Sequence, residues 1–156
     1  IQYHGYADKI DTMVLLSSPY QLSGDVSVGD LVSGLLGLLP DAVYQAVKDV
    51  APVAFAEFLS PIYWRHLNAI NGGLSPAVKY VQVSSRFDEF YLLGGLPLPP
   101  LANTSNFFVQ DTCPVDFATH FSIPYSRTAV ALVGNALDPL HAVTPPCVFE
   151  PPFISL

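Results

Sequence analysis

Two loops in this chain carry residues suited to proton-transfer chemistry. The run Asp111-Thr112-Cys113-Pro114-Val115-Asp116-Phe117-Ala118-Thr119-His120 follows the apolar segment Asn106-Phe107-Phe108-Val109-Gln110 and ends on a histidine. About thirty residues earlier, Ser84-Ser85-Arg86-Phe87-Asp88-Glu89 leaves a second apolar run and offers a carboxylate. A buried acid behind a histidine fixes its tautomer and stabilises the imidazolium formed when it takes a proton from a nucleophile. Asp88 and His120 are the candidate acid and base. Competing assignments are a solvated loop acid for Asp88, with Glu89 in the acid role, and a hydrogen-bonded core histidine for His120. His141 lies near the end of an apolar helical pattern and reads as structural; His4 and His66 are isolated. Asp116 and His120 have i, i+4 spacing, but Pro114 and the lack of further ligands argue against a metal site.

The segments that must position these loops alternate in type. Asp11-Thr12-Met13-Val14-Leu15-Leu16-Ser17-Ser18-Pro19 reads as a fully buried strand stopped by proline. Before it, residues 1–9 read as the tail of a helix and a tight connection, with Gly5 as its C-cap. Between 20 and 60, apolar residues recur at helical spacing from Val28 to Leu39. Asp41 then opens a second helix over 42–59 that Pro52 should kink or break. These helices are equally readable as an inserted cap or as ordinary core. Pro61 starts a helix over 62–71 that Asn71-Gly72-Gly73 ends. Val78-Lys79-Tyr80-Val81-Gln82-Val83-Ser84-Ser85 is the clearest strand, 92–102 a Gly/Pro-rich loop, 106–110 a buried strand and 124–137 the last helix. Strand, helices, strand, loop, strand, helix implies an α/β fold with a mostly parallel sheet and right-handed crossovers. Ligands bind beyond the carboxyl ends of such strands, which is where Asp88 and His120 fall.

The bulk composition excludes several classes. With 156 residues, 51% of them hydrophobic, the chain suits one domain with a sizeable core. Charged residues make up 12% and mean hydropathy is +0.40, too apolar for a disordered chain. No apolar run approaches the roughly 20 residues of a membrane span. Net charge is −7 and the six basic residues are scattered, which argues against nucleic acid as a partner. No motif calls for a cofactor.

Cys113 and Cys147 are the only cysteines. Such a pair suits a disulfide, and with 15 prolines a secreted protein; two buried free thiols are the alternative. The Gly-x-Ser-x-Gly elbow that exposes a nucleophilic serine is absent. Ser17 and Ser18 end a strand without flanking glycines, and Ser33 lies in an apolar helical pattern, so none of the three is a credible nucleophile. The chain opens on Ile1 without a leader pattern, and the three strands look too few to stand alone. Both point to a C-terminal piece of a longer chain.

Three segments carry a family resemblance: Val83-Ser84-Ser85-Arg86-Phe87-Asp88-Glu89, Val109-Gln110-Asp111-Thr112-Cys113-Pro114-Val115-Asp116-Phe117-Ala118-Thr119-His120, and Asn135-Ala136-Leu137-Asp138-Pro139-Leu140-His141 with Cys147. Together they resemble the secreted triacylglycerol lipases of the α/β-hydrolase superfamily, of the actinobacterial class 2 type and more loosely the fungal lipase B type. Gly5-Tyr6-Ala7-Asp8-Lys9-Ile10-Asp11-Thr12-Met13-Val14 resembles the segment after the nucleophile helix there. The resemblance covers nearly the whole chain and is weakest over 20–75. It implies that residues 1–156 form the C-terminal part of one α/β-hydrolase domain, with 20–60 as cap or acyl-pocket helices. It implies Asp88 as triad acid, His120 as general base and a Cys113–Cys147 disulfide. The catalytic serine and oxyanion-hole donors are then expected before Ile1 or in a companion chain. The expected substrate is a lipid ester, with contact at a lipid interface; the alternative is a non-catalytic domain binding apolar ligands or a protein partner. Two departures bear on substrate preference. Ser18-Pro19-Tyr20-Gln21-Leu22-Ser23-Gly24 stands where relatives carry a Pro-x-His-Gly-Thr-like turn, and an apolar run follows Asp88-Glu89.

Overall fold

The computed structural model describes residues 5–18, 40–50, 74–88, 91 and 97–152. The chain divides into two compact units, one of residues 1–21 with 74–156 and one of Leu22–Gly73.

The first unit is built on a parallel three-stranded sheet in the order β1-β2-β3: β1 (Thr12–Leu16), β2 (Lys79–Ser84) and β3 (Thr104–Phe108). Thr12 pairs with Lys79 and Leu16 with Val83; Tyr80 pairs with Thr104 and Ser84 with Phe108. This register brings all three strands to one carboxyl-terminal edge. β2 is central, and every residue of it after Lys79 is buried. Alternation along the strand sends Val81 and Val83 to one face and Tyr80, Gln82 and Ser84 to the other. Val81 and Val83 pack with Val109, Ala118, Ile123 and Ala129, and with Val14, Leu16, Leu132, Val133 and Ala136. A second cluster joins Val78, Tyr80 and Leu98 to Ala7, Ile10, Leu15 and Leu74. The fold is therefore α/β with a parallel sheet.

The outer strands depart from expectation. β1 is only partly buried and Met13 is exposed, because among the described strands it pairs on one side alone. β3 starts at Thr104, is half exposed, and stops at Phe108 rather than running to Gln110. Val109–Thr112 instead forms a short helix, α2, whose Val109 carbonyl accepts from the Cys113 amide. The last helix, α3 (Arg127–Leu137), begins three residues later than 124, after a 3₁₀ turn at Ile123–Tyr125. Its start is set by Ser126, whose Oγ accepts from Ala129 N at 3.0 Å as an N-cap. Gly5 adopts the left-handed φ of +65° that a C-cap requires, and Ala7–Lys9 form a 3₁₀ turn.

In the second unit the described residues include α1 (Asp41–Val50), with Asp41 in the first turn where an acid complements the helix dipole. The expected helices over 28–39 and 62–71 and the effect of Pro52 lie outside the described residues.

Candidate active site

Asp88 and His120 meet at the carboxyl-terminal edge of the sheet. His120 Nδ1 lies 3.0 Å from Asp88 Oδ2; the carboxylate is completely buried and the imidazole side chain 22% exposed. A buried acid behind a partly exposed ring is an arrangement that orients an imidazole and fixes its tautomer. Asp88 is thus not a solvated loop acid. Its Oδ1 accepts from Tyr91 N at 3.4 Å, and its own amide donates to Ser85 O. Glu89, the competing acid, lies outside the described residues. Phe121 stands edge-on to the His120 ring at 5.5 Å.

The chain turns immediately after β2. Ser85 Oγ accepts from Phe87 N at 3.1 Å, a local bond that competes with strand continuation and folds the chain back. The histidine's loop is longer and held at several points. Asp116 is fully buried, accepts from Ala118 N at 3.0 Å and from the Ser126 hydroxyl at 2.6 Å, and so ties the loop to the α3 cap. Phe117 N donates to Glu150 O, and Asp116 and Glu150 form a parallel bridge. Thr119 N donates to Ser122 Oγ, while Ser122 and Ile123 amides return to Thr119 O. Cys113 and Cys147 form a disulfide that spans 34 positions of sequence. Closing a loop of that size contributes about 4 kcal/mol in the chain-entropy account. The alternative of two free thiols is excluded.

Gln110 is a residue whose role sequence reasoning missed. Its Oε1 accepts from Arg86 N at 2.9 Å, and its Nε2 donates to Ser85 Oγ at 2.9 Å and to Asp116 O at 2.7 Å. One side chain thereby clamps the acid's loop to the histidine's. Its place in α2, immediately after β3, was the available signal, but a lone glutamine at a strand end has no motif to mark it.

His141 is exposed and bonds Asp138 at 2.8 Å within the turn after α3. His4 and His66 lie outside the described residues. Asp116 spends both oxygens on Ala118 and Ser126, and the described residues contain no group of three or more His, Cys, Asp or Glu side chains placed to hold a metal ion. Ser17 follows β1 at the same edge with φ 45°, but its hydroxyl is buried and so not presented to a substrate. Among the described residues no helix is long and apolar enough to cross a membrane.

Searches of protein-family models and of curated proteins find no match to this chain.

Proposed function

We propose that this chain supplies the acid and base of a serine-type hydrolase, with Asp88 orienting His120. The observation that carries the proposal is the 3.0 Å contact between a fully buried carboxylate and a partly exposed imidazole beyond the ends of parallel strands. Within that class the resemblance of the two loops favours a secreted lipase acting on carboxylic esters of lipids. The disulfide supports an oxidising, extracellular setting.

In the reaction, a serine Oγ attacks the ester carbonyl carbon while His120 Nε2 takes its proton. The Nδ1–H donates to Asp88, which stabilises the imidazolium. His120 then gives the proton to the leaving alcohol, and water, activated by the same nitrogen, releases the acid from the acyl-enzyme. The sequence has no Gly-x-Ser-x-Gly, so we place the serine and the oxyanion donors in a preceding segment or a companion chain. Residues 20–60 are assigned, on the resemblance, to helices that form a cap or line the acyl pocket.

Fluorophosphonate labelling with intact-mass measurement of the native material tests this. The label should appear on a serine outside these 156 residues, and Asp88→Asn should lower kcat about 10³–10⁴-fold. No labelled serine in the native material, or wild-type turnover by Asp88→Asn, would refute the proposal and leave a non-catalytic domain.

A further inference from the structure

Arg86 sits at the tip of the turn that ends on the acid. The Asp88 amide donates to Ser85 O at 3.2 Å, the bond that closes a four-residue turn over residues 85–88. That bond and the one from Phe87 N to Ser85 Oγ are local, so they shape the turn without fixing where it stands relative to the histidine's loop. The Arg86 side chain reaches outside the turn. Its Nη2 donates to both oxygens of Asp111 in α2, at 2.8 and 3.0 Å, and its Cζ lies 4.5 Å from the centre of the Phe108 ring at the end of β3. Asp111 stands two residues before Cys113, so its segment is pinned by the disulfide. The Arg86 amide is held separately by Gln110 Oε1, and a change of the side chain leaves that bond in place.

We infer that Arg86 is a positioning residue for the acid: paired with Asp111 over the Phe108 ring, it latches the turn of Asp88 to the β3–α2 junction, and salt loosens the latch. The inference rests on the reading of Asp88 and His120 as acid and base. Magnitudes decide what such a latch does. The pair is exposed, 41% for the Arg86 side chain and 63% for that of Asp111. Water and salt screen an ion pair of this kind, so it contributes little to the stability of the whole fold. The same small contribution, with that of a cation over a ring, is enough to bias a surface turn between two arrangements several-fold. Asp88 ends that turn 3.0 Å from His120, so a shift of the tip is carried to the carboxylate. Arg86 thus acts through the turn rather than on the reacting atoms.

Arg86→Met, which keeps an apolar stem against Phe108 and loses the charge, tests this in the whole chain together with Asp111→Asn and Arg86→Lys. Two NMR readouts apply. One is hydrogen exchange of the Asp88 amide; the other is the ring-nitrogen shifts of neutral His120, which give the share of the tautomer protonated at Nδ1. Arg86→Met and Asp111→Asn should each speed exchange at Asp88 about two- to fivefold and lower the ratio of Nδ1–H to Nε2–H tautomers by a similar factor, the worth of an exposed ion pair. The double variant should do no more than either single one, and Arg86→Lys should recover most of the loss. Raising ionic strength from about 0.05 M to about 0.5 M should reproduce the effect in the wild type and leave Arg86→Met unchanged. Tm should hardly move in any variant, which separates positioning from support of the fold. The inference is overturned by wild-type exchange and tautomer ratio in Arg86→Met, by additive effects in the double variant, or by salt acting equally on the wild type and Arg86→Met. These readouts need no turnover, so a native sample without a labelled serine would end the hydrolase reading and leave exchange to decide the latch. Where turnover is present, Arg86→Met should lower kcat about two- to fivefold at unchanged KM, and an unchanged kcat would overturn the positioning role.

Discussion

Replacing Gln110 by methionine should loosen both loops of the acid–base pair at once. Methionine nearly conserves the volume, so the change reports lost hydrogen bonds rather than a cavity. Three bonds disappear, to Arg86 N, Ser85 Oγ and Asp116 O. Each is worth about 1 kcal/mol net, and the site is only partly buried, so water recovers some of the loss; the expected cost is about 2–3 kcal/mol. For a chain of 156 residues that lowers Tm by roughly 5–10 °C. Urea denaturation measures the stability, and amide exchange at Arg86 reports the acid's loop directly. Protection of that amide should fall toward the level of an exposed turn. A loss under about 1 kcal/mol with Arg86 still protected would show that Gln110 does not hold the loops together.

Two further substitutions probe the supports of the site and of the sheet. Ser126→Ala removes a helix cap and the 2.6 Å bond to the buried Asp116 carboxylate, at a cost of about 3 kcal/mol by thermal denaturation. An additive Asp116→Ala/Ser126→Ala double mutant would contradict that coupling. Asn103 opens the sequon Asn103-Thr104-Ser105, but its Nδ2 donates to Ser75 O at 2.9 Å and Val78 O at 2.8 Å. The folded chain should therefore refuse glycan transfer, and Asn103→Ala should destabilise by about 2 kcal/mol; efficient modification of pre-folded protein, read by mass, would refute this.

How far the sequence revealed the fold depended on how local each determinant is. β2 was legible because a β-branched run reports burial on both faces. The meeting of Asp88 and His120 was legible because each lies on a loop after a strand, and the two cysteines because no other cysteine competes. β3 was misplaced because Asn106-Phe107-Phe108-Val109-Gln110 is equally apolar across a boundary that depends on Val109 O receiving the Cys113 amide. The Asp116 network, Gln110 and Thr119 were invisible for a different reason. A polar residue becomes structural through partners such as Ser126 or Ser85, and no periodicity encodes which partner will arrive. Gln82 makes the same point: buried in the central strand, it donates to Ser18 O and Ser84 Oγ, bonds that no hydrophobic pattern predicts.

The joining of the histidine's loop to residues 147–150 also sets an order of events during synthesis. Both the Cys113–Cys147 bond and the Asp116–Glu150 bridge need residues made some thirty positions after the loop itself. While the ribosome still shields that segment, β1, β2 and β3 can pair, yet the loop bearing His120 lacks two of its anchors. A nascent chain can therefore pair its strands before the His120 loop has all its anchors. The loop bearing His120 is fully anchored only once residues 147–150 have been made and the two sulfurs joined.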